Sequence, residues 1–582
     1  MVIKLMNRHI FVKITISECM HMQDQKVDNQ LNMAIETPEN IRRQSSSLNT
    51  GYDEENDTWE VIIRYHGSLD NLSEMGIRIT PLINGYAILY LNQNLIDRVS
   101  EFPEIEYIEK PRELYFETAQ GKAASCFNVL PSATSGALGG RGIIIAAIDS
   151  GVDYMHPEFR NKDGSTRILY LWDQSIQGAP PDGYFAGTEY DSAEINRAIL
   201  ENDMTIVPSV DISGHGTHVL GIAAGSLTGC APQADIIVVK LAAPTTTADL
   251  MQAVNYAIDK AVLLNMPIAV NISFGNSYGS HSGNSLLETF IDDIAGVGSS
   301  TICIGTGNEG ASARHFVGKL DRERVVAEMA VYEYTPSFSV QIWKNYYDSF
   351  EVSLRTPEGE IIEINPDVSQ TAQIDTEGTT LLIYYGQPTP YSGLQEIYIE
   401  FIPKGIYFEN GIWQFIFEPE DIRTGEINMW LPAGAAISTD TAFLVPNPNV
   451  TITIPATSAR AISVGAYNSN TMQTADFSGR GYIYGNVSKP EIVAPGVDIT
   501  SARSGGGYES RTGTSMATPF VTGAAALLMQ WGIVEGNDDY LYGQKLKAYL
   551  IRGAKPLPGI EVYPDSWVGY GALCVRDSFP RG

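Results

Sequence analysis

Three segments, far apart in the chain, carry the residue types of an activated hydroxyl. Ser515 lies in Arg511-Thr-Gly-Thr-Ser-Met-Ala-Thr-Pro519, ahead of the apolar run Phe520 to Leu528. Gly513 and the small Thr514 predict a tight turn, and Pro519 suits the first turn of the helix behind it. A serine held there has unpaired backbone N–H groups and the positive end of the helix dipole beside it, which suits a nucleophile whose reaction builds charge on oxygen. Gly142 to Ile148 is a continuous apolar run, the pattern of a strand buried on both faces, and it delivers Asp149 to the edge of a sheet. In Asp211-Ile-Ser-Gly-His215-Gly-Thr-His218, glycines flank His215 and small apolar residues follow, so the histidine starts a packed helix. Hydroxyl, imidazole and carboxylate are nucleophile, general base and the group that fixes the base's tautomer. Nearby Asp153 reads as a local turn or charge partner, and His218 as a packed or locally hydrogen-bonded residue. Nothing singles out His156 or His281.

The segments DSGVD, SGHGTHV and GTSMATP, in that order, resemble the subtilisin (subtilase) family of serine proteases. The resemblance implies Asp149 as orienting acid, His215 as base and Ser515 as nucleophile. It implies that Asn308, in Gly305-Thr-Gly-Asn-Glu-Gly310, donates to the oxyanion together with the Ser515 N–H. Ser273, Phe274 and Gly275 match the strand edge that binds substrate backbone as an added β-strand. Gly305 and Gly307 match the opposite wall of the primary specificity pocket. The family reading predicts peptide-bond hydrolysis without metal or organic cofactor. The path from Gly225 to Pro232 lacks a carboxylate or Asn before Asp235, so the calcium site that many subtilases carry after the histidine helix is expected to be absent.

The chain has 582 residues, 44% hydrophobic and 18% charged, enough for several domains with sizeable cores. Its formal charge of −30 argues against nucleic acid or an anionic membrane surface as partner. Met516 to Val534 is weakly polar, but its Thr, Gly and Pro residues predict a buried core helix and no membrane span. Met1 to Met20 has Lys4, Arg8 and Lys13 scattered through it and no uninterrupted apolar stretch, so no signal peptide and synthesis in the cytoplasm are expected. Cys19, Cys126, Cys230, Cys303 and Cys574 are widely spaced and read as free thiols in a reducing compartment.

Hydropathy patterning divides the chain. Residues 1–57 read as a polar, loosely structured leader. Residues 58–120 alternate β-α-β-β-α-β, a small ferredoxin-like unit, and resemble the propeptide that subtilases carry. Its tail, Tyr115 to Gln120, would lie in the cleft, with self-cleavage between about Tyr115 and Ala124 and the bond between Gln120 and Gly121 as the favoured position. Residues 121–315 and 441–582 form the two parts of an α/β subtilase domain, three layers with a mostly parallel sheet. Residues 316–440 read as about eight short strands, an inserted β-sandwich or jelly roll. Two readings of this insert stay open: a module that selects a partner or substrate, and a rigid brace on the catalytic domain.

This layout resembles the Csp-type germination proteases of clostridial spores, which implies a self-processing zymogen, possible packaging in the spore, and the zymogen of a cortex-lytic enzyme as substrate. The expected partners are a protein or peptide substrate and the chain's own propeptide retained in the cleft. The alternatives are a catalytically silent scaffold that binds a protein partner, and a carbohydrate- or peptide-binding protein acting through the insert.

Overall fold

The computed structural model describes residues 26–116, 125–127, 138–332, 334–364, 371–389, 391–408, 410–481, 483–484 and 487–580. The self-cleavage positions Gln120 and Gly121, most of the expected tail and Cys19 lie outside them. Cys126, Cys230, Cys303 and Cys574 are free thiols.

The apolar run around Ile144–Asp149 forms the centre of a largely parallel sheet. Ile143, Ile145 and Ala147 face one hydrophobic layer, and Ile144, Ala146 and Ile148 face the other. Burial on both faces is why this strand lacks polar alternation. Its parallel neighbours are Asp235–Lys240 and Ile268–Ile272. Ile168–Asp173, Ser300–Gly305, Ile462–Asn468 and Ile492–Pro495 extend the sheet, and Thr188–Asp191 and Gln473–Thr474 run antiparallel at its rims. Helices His215–Ala224 and Thr514–Met529 cover one face, and Thr247–Leu264 and Leu286–Ile294 the other. The Thr514–Val534 stretch is long and apolar enough to cross a membrane, yet 83% of its most apolar window is buried in this core.

The N-terminal unit has strands Thr58–Tyr65, Arg78–Leu82, Tyr86–Leu91 and Ile105–Glu109, with helices Asp70–Glu74 and Gln93–Ser100. All strand pairs are antiparallel. From residue 26 on, the leader departs from its expected looseness. Residues Asn29–Glu36, Glu39–Arg42 and Ser46–Asn49 are helical, and Leu31, Met33, Ala34 and Leu48 are buried in the same core as Trp59 and Ile63. A few apolar residues suffice because the rest of that surface docks on polar partners in the insert. Glu400 accepts from the hydroxyls of Ser45, Ser47 and Tyr398.

The insert is two antiparallel sheets sharing one core. Against the expected eight or so, its described residues form nine strands, Val325–Val331, Phe338–Asn345, Ser349–Arg355, Ile361–Ile364, Thr371–Asp375, Thr379–Tyr385, Leu394–Pro403, Gly411–Asp421 and Glu426–Trp430, and His315–Lys319 and Ala442–Phe443 join them at its boundaries. Leu382, Tyr384, Tyr398 and Ile402 project from one of its sheets into the core of the N-terminal unit. The insert therefore braces the N-terminal unit. It also reaches the central domain, where the Arg314 guanidinium donates to the carbonyls of Pro432 and Gly434, and Glu309 accepts from the Gly434 N–H.

The loop after the histidine helix is organised by Arg167, which is 4% exposed. Its guanidinium donates to the carbonyls of Ala224 (2.5 Å), Ala234 (2.6 Å) and Glu158 (3.3 Å), and to Ser226 Oγ (3.0 Å). Burial pushes it down to about 10, so it stays cationic at neutral pH. A protein cation thus gathers the carbonyl oxygens at this helix C-terminus, where positive charge is favoured. Among the described residues no group of three or more His, Cys, Asp or Glu could hold a metal ion. Arg167→Ala is expected to cost about 3 kcal/mol, because several buried carbonyls lose a charged donor. Thermal unfolding with and without a chelator tests this: the variant should melt lower, and the chelator should leave the wild type unchanged.

Candidate active site

Asp149 is the last residue of its strand and His215 the first of its helix. Their side chains meet, His215 Nδ1 to Asp149 Oδ1, at 2.7 Å. Both are almost fully buried. The approach needs glycine at 216, whose Cβ would fall 3.0 Å from Asp149 Cβ. It needs Gly214 as well, which caps the helix at φ +69. The Ser150 N–H holds Asp149 Oδ1 at 2.8 Å. Burial pushes the His215 imidazole down, but the charge and hydrogen bond of Asp149 outweigh it, and the net shift is upward from 6.5.

Ser515 is the second residue of its helix, so its N–H has no acceptor within the helix. Its hydroxyl donates to the Ser273 carbonyl at 3.1 Å, and the Ser273 hydroxyl donates to the Ser515 carbonyl at 3.3 Å. Asn271 and Thr522 extend this contact between strand and helix (2.9 Å each). Asn308 follows the strand Ser300–Gly305 by three residues and accepts the Thr514 N–H on Oδ1 at 3.1 Å. That bond fixes the carboxamide so that its NH2 faces away from Thr514.

Phe274–Gly275 is paired antiparallel with Glu113–Phe116 of the N-terminal unit's tail, Phe274 opposite Phe116 and Gly275 opposite Tyr115. On its other side Glu113–Phe116 pairs with Thr245–Thr246. The tail is a middle strand between two edges of the central domain, in the manner of an added peptide strand. Asn276 Nδ2 donates to the Glu113 carbonyl (2.8 Å), and the Thr247 N–H to that of Arg112 (2.7 Å).

The remaining singled-out groups serve local structure. Asp153 accepts the N–H groups of Met155 and Gly505. His218 Nε2 reaches the Ile499 and Glu509 carbonyls, and burial pushes it down to about 3. His156 ties Glu158 to Gly507, and His281 bridges Ser277 and Ile452.

Sequence reasoning missed Asp211. Its carboxylate accepts from Ser150 Oγ (2.7 Å), Gly214 N–H (2.9 Å), Thr217 N–H (2.8 Å) and Thr217 Oγ1 (2.7 Å). Ser150 follows Asp149, and Gly214 and Thr217 bracket His215, so one buried carboxylate joins the two loops that set the 2.7 Å contact. Arg511 adds a clamp, donating to the Ser213 carbonyl at 2.6 Å and pairing with Glu509. The available signal was an acidic residue four positions before His215 and a hydroxyl next to Asp149.

Asp211→Asn cannot accept all of these donors, because one face of the amide itself donates. The account predicts a fall of roughly a hundredfold in kcat against peptide substrates, KM nearly unchanged, and a retained fold. Steady-state kinetics beside circular dichroism measures both.

The subtilase family model matches residues 140–365 and 442–571, and the Csp protease B prodomain model matches residues 25–112. The CspB protease of Clostridium perfringens superposes with a TM-score of 0.72 at 33% sequence identity, covering 78% of this chain and 95% of that one. The minor extracellular protease Vpr of Bacillus subtilis is 25% identical over 471 residues, 75% of this chain and 51% of its own length. The PIII-type proteinase of Lactococcus lactis is 24% identical over 523 residues; the chain spans 25% of that protein's length. By these matches and by its fold, the chain belongs to the subtilase family of serine proteases and carries a Csp-type prodomain ahead of its catalytic domain.

Proposed function

We propose that this chain is a serine endopeptidase, made as a zymogen that cleaves itself, with Asp149, His215 and Ser515 as its triad. The observation that carries the reading is the 2.7 Å contact between His215 Nδ1 and Asp149, with Ser515 at a helix N-terminus and Asn308 oriented beside it. Rotation about the Cα–Cβ bond of Ser515 moves its hydroxyl from the Ser273 carbonyl toward His215 Nε2. His215 takes the proton as Oγ attacks the substrate carbonyl. Asn308 Nδ2 and the Ser515 N–H hold the oxyanion. His215 then protonates the leaving amine, and water repeats the sequence on the acyl-enzyme. Ser273, freed of the Ser515 hydroxyl, offers its carbonyl to substrate backbone, and Phe274 and Gly275 supply the strand edge.

The prodomain acts as an internal inhibitor. Its Glu113–Phe116 strand holds the edge that substrate would use, and the chain beyond it runs to the proposed bond between Gln120 and Gly121. The shared core with the insert supports retention of the prodomain after the cut. We assign the natural substrate as the zymogen of a spore-cortex hydrolase, on the likeness to the Csp proteases. Production in the cytoplasm and packaging in the spore belong to the same assignment.

Mass spectrometry of the purified wild type beside Ser515→Ala tests the reading. The wild type should carry a break after Gln120, and the variant should stay whole; an equally cleaved variant contradicts it. In the processed enzyme, Asn308→Leu should lower kcat by about two to three orders of magnitude. The pH profile carries a sign. His215 works as a base only when neutral, and its pKa is raised above 6.5, so activity should rise with pH through a value above 6.5. Asp149→Asn removes the charge that raises it and leaves the burial that lowers it. The acid limb should move to lower pH while kcat falls by about four orders of magnitude.

A further inference from the structure

Two thiols from opposite ends of the catalytic domain meet in the fold. Cys126 lies shortly after the expected self-cleavage segment, and Cys574 lies near the end of the chain. Backbone brings them together: the Val575 N–H donates to the Ser125 carbonyl at 3.2 Å. On each chain the cysteine is the next residue, so the two side chains leave from neighbouring backbone. The Cys574 thiol shares a hydrogen bond with Cys126. Burial raises the Tyr467 hydroxyl, and both thiols add to the rise, so all three groups lie at one place.

Both sides of the pair are anchored. The Leu573 N–H donates to the Val493 carbonyl on the rim of the central sheet (2.8 Å), and Ala572 exchanges two hydrogen bonds with Lys555 (2.8 Å each). The Cys574 carbonyl accepts from the Ser578 N–H (3.2 Å) and hydroxyl (3.0 Å). Across from it, the Phe127 ring packs against Phe520 of the Ser515 helix, centroids 6.2 Å apart. Between the Ser125 and Phe127 contacts, Cys126 takes φ +58, a conformation uncommon outside glycine. Neighbouring backbone and touching sulfurs are what a disulfide requires. Access is unequal: Cys126 is half-buried, and Cys574 is 0% exposed.

We propose that Cys126 and Cys574 are a reversible disulfide site, oxidised by a low-molecular-weight disulfide, that latches the first residues of the catalytic domain to its last. Cys126 is the thiol such a reagent reaches. It gives its proton to water, and its thiolate attacks one sulfur of the reagent. That forms a mixed disulfide and releases a small thiolate. Burial and the contact with Cys126 push Cys574 up to about 12, so it waits as a thiol until the mixed disulfide stands beside it. Its proton then passes to the released thiolate, and its sulfur attacks Cys126 Sγ. The second small thiolate leaves and is protonated by water. Two protein thiols become one disulfide, and the reagent becomes two small thiols. The closed loop takes in the catalytic domain and the insert, so the link restricts the unfolded chain. It fastens a segment that self-cleavage would sever from the prodomain, but the thiol pair itself does not depend on the protease reading.

The test uses the full chain as Ser515→Ala, which keeps self-cleavage out of the result. The native protein is treated with glutathione disulfide, quenched with acid, alkylated in denaturant and mapped by mass spectrometry without reduction. The main product should be a peptide pair joined through Cys126 and Cys574, lighter by two hydrogens and restored by dithiothreitol. The linked protein should melt several degrees above the reduced one. With Cys574→Ser added, the reaction should stop at a glutathione adduct on Cys126. With Cys126→Ser added, Cys574 should be recovered alkylated. Recovery of both thiols alkylated in the protein that carries both, a glutathione adduct that persists on Cys126 beside intact Cys574, or a link through any other cysteine overturns the proposal. The first measurement needs no cysteine substitution, so a variant that fails to fold leaves it decisive.

Discussion

The structure depends on keeping a carboxylate and an imidazole together out of water. Asp149 and His215 are buried at the carboxyl edge of a parallel sheet, where isolated charges would be costly. Their 2.7 Å contact offsets that cost only while both loops hold their place. The continuous apolar run before Asp149 fixes one end. The glycines around His215 let the other approach. Asp211, with Ser150 and Thr217, ties the two together through hydrogen bonds that use both of its oxygens. Helix Thr514–Met529, buried along its whole length, brings the serine to the same edge. A sheet closed on both faces by helices is the platform that makes such alignment rigid.

The second constraint is occupancy of the Phe274–Gly275 edge, the one proposed above for substrate. A strand edge that binds peptides exposes unpaired N–H and C=O groups, and here the Glu113–Phe116 segment pairs with it. The grip extends well beyond that strand. Arg112 and Glu109 are buried between the N-terminal unit and the central domain, and burial raises Glu109 to about 7. On the far side Glu396 of the insert, near Arg112 and Asp28, is raised to about 7 for the same reason. Lys110, also buried, is pushed down to about 7 and donates to the Ser47 carbonyl at 2.5 Å. These groups bury well only in one another's company. The insert, with Leu382, Tyr384, Tyr398 and Ile402 in the prodomain core, is thus as much a seat for the prodomain as an appendage of the catalytic domain.

Much of this was legible in the sequence, for physical reasons that differ by element. The strand ending at Asp149 announced itself because burial on both faces removes polar alternation. The glycine-flanked histidine and the small-residue turn before Ser515 announced themselves because close backbone approach excludes side chains. The insert's strands were readable because β-branched and aromatic residues alternate between turn residues. The leader from residue 26 on was misread, since its helices are stabilised by partners about 350 residues away, such as Ser45 and Ser47 on Glu400. Asp211 escaped notice because an aspartate shortly before Ser213 and Gly214 looks like an ordinary loop residue. Arg167 was invisible for the same reason: what its side chain meets is set by folding and leaves no periodic trace.

The central claim, that distant residues form one activated nucleophile, is tested most directly by a fluorophosphonate, which modifies only an activated serine. Intact-mass and peptide analysis of the processed protein should find a single adduct, on Ser515, with labelling abolished in His215→Ala. A wild type that resists the reagent, or a His215→Ala variant labelled at the same rate, would contradict the account.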